Sequence, residues 1–247
     1  MIRIYKANMV RLVKNPFFLG GCALAFLLTL LAATHRMDNI LTFLAAGGPD
    51  QIMFFMSAAM VAFFTIFTVI YTNTEYSNGV IRNKVISGCS QSQVYLSHYL
   101  TNVSAAVIMF VFYCLGGFLG GARYNAYFFK ANIAFMFALF AYIAVVNAIA
   151  MRLKKVVFAI VASMLLLNTA FNAVMFGNLI LSVIEGKAHF IGSVIYNLSP
   201  LGQWFVYTGF ADETCNPGFA IQMVSSIVTI VLITLIGMLG INKRDLV

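Results

Sequence analysis

Six apolar runs recur along this chain, each close to the roughly 20 residues that carry an α-helix across the hydrocarbon core of a bilayer. They fall at about 17–33, 52–71, 99–119, 131–151, 156–176 and 219–241, and little chain is left between them. With 62% hydrophobic and only 9% charged residues, the 247-residue chain lacks the polar surface that a soluble globule of this size needs. None of the runs shows the ten-residue alternation of a membrane β-barrel strand. The expected fold is all-α: one polytopic domain, 1–247, of six transmembrane helices.

The first span is preceded by a helical leader, 1–15. Met1, Ile2, Tyr5, Met9, Leu12 and Val13 fall on one face, and Arg3, Lys6, Arg11 and Lys14 on the other. That pattern predicts an amphipathic interfacial helix whose basic side meets anionic membrane lipid. Asn15 and Pro16 then redirect the chain, since proline is well tolerated in a helix's first turn. The leader's length and amphipathicity favour a retained helix over a cleaved signal.

Between the spans lie a loop from Thr34 to Gln51 with Arg36, Asp38, Gly47, Gly48, Pro49 and Asp50, and a polar island from Thr72 to His98. A tight turn at Arg152 to Lys155 makes the fourth and fifth spans antiparallel neighbours. Gly116, Gly117, Gly120 and Gly121 close the third span as two overlapped G-x-x-x-G pairs, which mark either a close helix–helix approach or a frayed end before a loop. In the irregular stretch 177–218, the apolar pieces are too short to cross a bilayer. They are expected to be re-entrant or interfacial half-helices on the external side, with Trp204 and Tyr207 at headgroup depth.

The basic residues fix the expected orientation. With the N-terminus inside, eleven Lys and Arg face the cytoplasm (Arg3, Lys6, Arg11, Lys14, Arg82, Lys84, Arg152, Lys154, Lys155, Lys243, Arg244). Only Arg36, Arg123, Lys130 and Lys187 lie outside. This bias predicts a multi-pass cell membrane protein (plasma or inner membrane) with both termini cytoplasmic. It also accounts for the net charge of +8 without a nucleic-acid partner.

No catalytic constellation is evident. A G-x-x-x-x-G-K-[ST] loop is absent, so nucleotide is not bound by that route. His35, His98 and His189 fall in separate loops or span ends, with no metal-ligand spacing. The cysteines, Cys22, Cys89, Cys114 and Cys215, form neither a C-x-x-C pair nor an evident disulfide framework. No charge is expected well inside a span, which counts against a pump or proton-coupled transporter. The spans instead hold uncharged polar residues, among them Asn147, Asn168 and Asn172. These three form a candidate substrate path or, alternatively, interhelical hydrogen-bond links.

The polar island carries the most specific pattern. Glu75 and Gly79 are followed by Ile81-Arg82-Asn83-Lys84, then Ser87-Gly88-Cys89-Ser90 and Val94-Tyr95-Leu96-Ser97. This segment resembles the one between the second and third helices of permease subunits of ATP-binding-cassette (ABC) type-2 exporters. The basic leader, six spans, Asn-Leu-Ser-Pro-Leu-Gly run at 197–202 and terminal Lys-Arg-Asp-Leu extend the resemblance over the whole chain.

The resemblance implies that 72–98 is a coupling segment docking on a separate cytoplasmic ABC ATPase subunit. Glu75, Gly79, Arg82, Asn83, Lys84, Ser87, Gly88 and Ser90 would form the contact, with Glu75 meeting a basic group of that partner. A second permease subunit, identical or related, would complete the dimer. ATP and magnesium would belong to the ATPase, leaving this chain without cofactor or enzyme activity. The implied cargo is an amphipathic peptide, as in peptide toxin or bacteriocin export, or another apolar substrate. The alternative is a non-transporting membrane immunity or sensor accessory protein.

Overall fold

The computed structural model describes residues 1–34, 49–123, 125–153 and 155–239, which are all-helical with turns. Most of the loop expected to hold Arg36, Asp38, Gly47 and Gly48 lies outside the described residues. So do His35, Lys154, the last residues of the sixth run and the terminal Asn242 to Val247 segment.

The helices are α1 (Ile2–Val13), α2 (Pro16–Ala33), α3 (Pro49–Phe55), α4 (Ala58–Ser77), α5 (Val80–Ile86), α6 (Gln91–Leu119), α7 (Ala126–Arg152), α8 (Val156–Leu181), α9 (Gly186–Tyr196), α10 (Pro200–Thr208) and α11 (Phe219–Met238). Among the described residues, six stretches are long and apolar enough to cross a membrane: α2, α3 with α4, α6, α7, α8 and α11. The chain is a multi-pass helical membrane protein.

Local chemistry sets the helix starts. The Asn15 side chain accepts from the Phe18 N–H at 3.1 Å, with Pro16 opening α2. At α6, Ser90 and Gln93 form a reciprocal capping box, so this helix begins at Gln91 rather than near Tyr99. Likewise α4 continues past Tyr71 to Ser77, which brings Glu75 into the helix. Much of the expected polar loop is therefore helix. Its hydrophilic residues satisfy caps and pair with one another, so low hydropathy does not mark the helix ends.

The glycines of α6 mark a close helix contact. Gly116 lies against the backbone carbonyl of Phe26 and the Thr29 hydroxyl, and Gly120 against Ala33, leaving no room for a Cβ on either residue. For the Gly116/Gly120 pair, close approach is what the fold uses, and its partner is α2, whereas Gly121 lies past the helix end with open space around it and a φ of 106°. At the centre, α7 is enclosed by α4, α6, α10 and α11. Phe54, Phe64, Phe67, Phe135 and Leu139 fill the core between α3, α4 and α7. By contrast, α8 and α11 leave most of their apolar surface uncovered by the chain itself.

In the stretch 177–218, residues 177–181 continue α8, and the remainder carries α9, α10 and a short 3-10 turn. Trp204 and Tyr207 pack inside the protein. Trp204 donates to the Phe55 carbonyl at 2.9 Å, and Tyr207 donates to Gln222 Oε1 at 2.8 Å. Gln222 in turn donates to Asn197 Oδ1 at 2.9 Å, and Asn197 donates to the Cys215 carbonyl at 2.8 Å. This buried polar network ties α9, α10 and the 3-10 turn to α11.

Candidate functional site

Glu75 is the centre of the most concentrated set of charged and polar contacts, at the end of the bundle where α1, α4, α5 and α6 meet. Its carboxylate is only 2% exposed. Arg11 from α1 contacts Oε1 at 2.5 Å, Lys84 from α5 contacts Oε2 at 2.5 Å, and His98 Nε2 from α6 lies 2.7 Å from Oε2. Lys84 also donates to Asn8 Oδ1 at 3.0 Å. The Tyr71 hydroxyl donates to the Asn8 carbonyl at 2.7 Å, while the Arg11 guanidinium lies 4.1 Å from the Tyr71 ring centroid. Four helices are thus pinned to one carboxylate. Two cations face a single anion, so neutral His98 fits the charge pattern best: its Nε2–H donates to Glu75, and Nδ1 is left as an acceptor.

The basic groups that Glu75 meets belong to its own chain, which corrects the expectation that it is open to a partner's cation. Arg11 likewise turns inward from the leader's basic face. Arg3, Lys6 and Lys14 remain exposed alongside Ile2, Val10 and Val13. Lys84 is only 15% exposed and already committed to Glu75 and Asn8.

The remaining island residues divide differently. Gly79 and Gly88 have φ of 66° and 90°, left-handed conformations that glycine adopts without a Cβ penalty, and they turn the chain into and out of α5. Ile81 anchors this short helix in a small apolar cluster with Ile4, Val94, Tyr95 and Met151. Arg82, Asn83, Ser87 and Gly88 face outward, together with Ile86, which is 73% exposed. Ser87 donates to the Lys84 carbonyl at 2.8 Å, and Ser90 serves as the α6 cap.

The three asparagines do not converge. Asn147 is fully buried beside the Tyr95 hydroxyl, between α6 and α7. Asn168 and Asn172 lie on the uncovered face of α8, where Asn172 donates to the Asn168 side-chain oxygen at 2.8 Å. That bond runs within one helix, so it links no pair of helices. Asn168 and Asn172 each border one of two apolar grooves, of about 710 and 700 Å³, which meet at Phe171 and Trp204.

Asn8, Arg11, Tyr71 and His98 are the site members that the sequence reading missed. Two signals pointed to them: a lone acid ending a long apolar run requires a cationic partner, and Ile4, Asn8 and Leu12 form a buried i, i+4, i+8 stripe on α1. Among the described residues, no group of His, Cys, Asp and Glu is arranged to hold a metal ion.

No family model matches the chain, and no curated protein or solved structure is similar enough to it to count as a match. The fold and composition define a class, that of multi-pass helical membrane proteins.

Proposed function

We propose that this chain is the permease subunit of an ATP-driven exporter with type-2 ABC organisation, sitting in the cell membrane with both termini and α5 in the cytoplasm. The observation that carries this reading is the mounting of α5. Its inner side is fixed by Ile81 and by the Lys84–Glu75 contact, while Arg82, Asn83 and the apolar Ile86 point away from the bundle. A short helix held this way presents a mixed polar and apolar surface suited to a soluble partner. Force applied to it reaches α4 and α6 through Glu75 and His98.

In this reading the partner is a separate cytoplasmic ATPase that binds ATP and magnesium, and the permease works as a dimer with an identical or related subunit. The uncovered apolar faces of α8 and α11 are available to lipid or to that subunit. Closure of the ATPases would push on α5 and shift α4 and α6, changing access to a path for an amphipathic peptide or another apolar substrate. Ligand binding moves such an equilibrium only to the extent that it favours one state over the other.

The test is affinity purification of the tagged chain from its native membrane in mild detergent, comparing wild type with Ile86→Asp and Arg82→Glu. A soluble ATPase that copurifies in stoichiometric amount with wild type and is lost from both variants supports the reading. If no ATPase copurifies, the permease reading is overturned, and the non-transporting immunity or sensor accessory takes its place.

A further inference from the structure

The uncovered face of α8 carries a repeat. Val161, Leu165, Asn168, Asn172, Met175 and Leu179 follow alternating steps of four and three, the heptad spacing that keeps one seam of a helix turned toward a partner helix. All six are exposed. From Val161 to Leu179 the seam runs about 27 Å at the rise of an α-helix, close to the thickness of a bilayer's hydrocarbon core.

The same six residues border a trough. Val161, Leu165 and Asn168 line the first of the two α8 grooves, and Asn172, Met175 and Leu179 line the second, with Phe171 and Trp204 common to both. Ala58 and Ala62 of α4 complete the first groove, and Phe55 of α3 the second. A trough of this length matches a membrane-spanning helix.

Its centre is polar. Asn168 is near the midpoint of α8, at a depth where an amide facing lipid finds no water. Asn172 Nδ2 donates to the Asn168 carbonyl at 2.9 Å and to Asn168 Oδ1 at 2.8 Å. Asn168 Nδ2 and Asn172 Oδ1 are left without a partner among the described residues. One is a donor and the other an acceptor, so the pair is complementary to a second copy of itself. On α11, the other uncovered helix, the Ser225 and Thr229 hydroxyls instead donate to carbonyls of their own helix at 3.0 and 2.8 Å.

We propose that α8 pairs along this seam with α8 of a second copy of this chain, Asn168 Nδ2 of each copy donating to Asn172 Oδ1 of the other. Identical chains insert the same way round, so the two helices run parallel. In parallel heptad packing each seam residue enters a hole formed by consecutive seam residues of the facing helix, which sets Asn168 of one copy beside Asn172 of the other. An acyl chain in the trough would leave both amides unpaired, whereas asparagines at such a seam hydrogen-bond across it and fix the register. The inference rests on the export reading only in sharing its dimer, for which it names an identical subunit and the contact face.

Disulfide crosslinking of the full chain in membranes, with Cys22, Cys89, Cys114 and Cys215 replaced by alanine, tests it. Leu165→Cys, Asn168→Cys and Asn172→Cys should each give a product of twice the chain mass on oxidation. The yield should be several-fold above that of Leu166→Cys and Ala170→Cys, which pack against the chain's own core, and of Val231→Cys on the exposed face of α11. Native mass spectrometry of the unsubstituted chain in mild detergent should show a dimer, and Asn168→Ala/Asn172→Ala should weaken it several-fold. A monomeric wild type, with or without retained lipid, overturns the proposal, as does crosslinking no stronger at the seam than at Val231. So does a product whose mass includes a different protein, or an unchanged dimer in the double variant. Seam crosslinking without a copurifying ATPase supports the pairing and overturns the export reading; an ATPase without seam crosslinking does the reverse.

Discussion

Replacing Glu75 by Gln tests whether one carboxylate holds α1, α4, α5 and α6 together. The substitution keeps the side chain's size and removes its charge. Lys84 and Arg11 then lose their shared counter-ion, while Lys84 retains only Asn8 Oδ1 and His98 keeps a neutral acceptor. Breaking a buried ion pair from one side typically costs 3–5 kcal/mol. Arg11 is 36% exposed and can turn toward water, so its share is small, and the loss falls mainly on Lys84. A net cost of about 3 kcal/mol follows, equivalent to a midpoint roughly 6–12 °C lower for a chain of this size.

The assay is thermal unfolding of the detergent-solubilised protein followed by circular dichroism, comparing wild type, Glu75→Gln, Lys84→Met and the double variant. The cycle should return a coupling of about 1–3 kcal/mol between Glu75 and Lys84. In the double variant no buried cation is left facing an absent anion, so it should be more stable than the two single losses added together. An unchanged midpoint for Glu75→Gln, or additivity of the two substitutions, would refute the argument that these charges are buried and paired.

Four further outcomes follow from the geometry. Gly116→Val should lower the midpoint by an overpacking cost of about 1–3 kcal/mol, because its side chain enters the Phe26 carbonyl and Thr29 hydroxyl of α2; a neutral result in the same melt would mean that the two helices are not in contact. Gln222→Ala strands the Tyr207 hydroxyl and one acceptor of Asn197, and about 2–3 kcal/mol of destabilisation is expected in thermal unfolding. Arg82→Ala, at an exposed position on α5, should change stability by no more than about 0.5 kcal/mol while weakening copurification of the ATPase, which separates a docking role from a structural one. Cys215 is buried and desolvation raises its thiol pKa, so little thiolate is present at neutral pH; peptide mapping should find it unalkylated by iodoacetamide in the folded protein and modified after denaturation.

Much of the fold was legible from hydropathy alone, because a bilayer leaves an apolar run of this length little choice but a helix that satisfies its own backbone. The site was only partly legible. The island's glycines marked the turns around α5, since left-handed backbone has few other occupants. Arg82 and Asn83 are exposed on α5. Glu75 and Lys84 were drawn to the right region but assigned to a partner rather than to each other. Their true contacts span long sequence separations: Arg11 lies on the leader, His98 on the next long helix, and neither distance nor facing direction follows from local periodicity. The boundary of α4 failed for a related reason. Tyr71 to Ser77 look like loop by hydropathy, yet Tyr71, Asn73 and Glu75 find partners in α1, α5, α6 and α7, including the Asn73 donation to the Ala150 carbonyl at 3.2 Å.

The sequence by itself determined that this chain is a helical membrane protein and where its long apolar helices run. Those properties depend on the free energy of moving side chains and backbone between water and hydrocarbon, a sum over neighbouring residues. Only the tertiary structure decided that Glu75 is internal, that Trp204 and Tyr207 are packed within the protein, and that the three asparagines do not form one site. Each of these depends on which helix faces which, and at what rotation. That is fixed by close contacts such as Gly116 against Phe26, and by the requirement that every buried charge find its counter-ion wherever the fold brings one near.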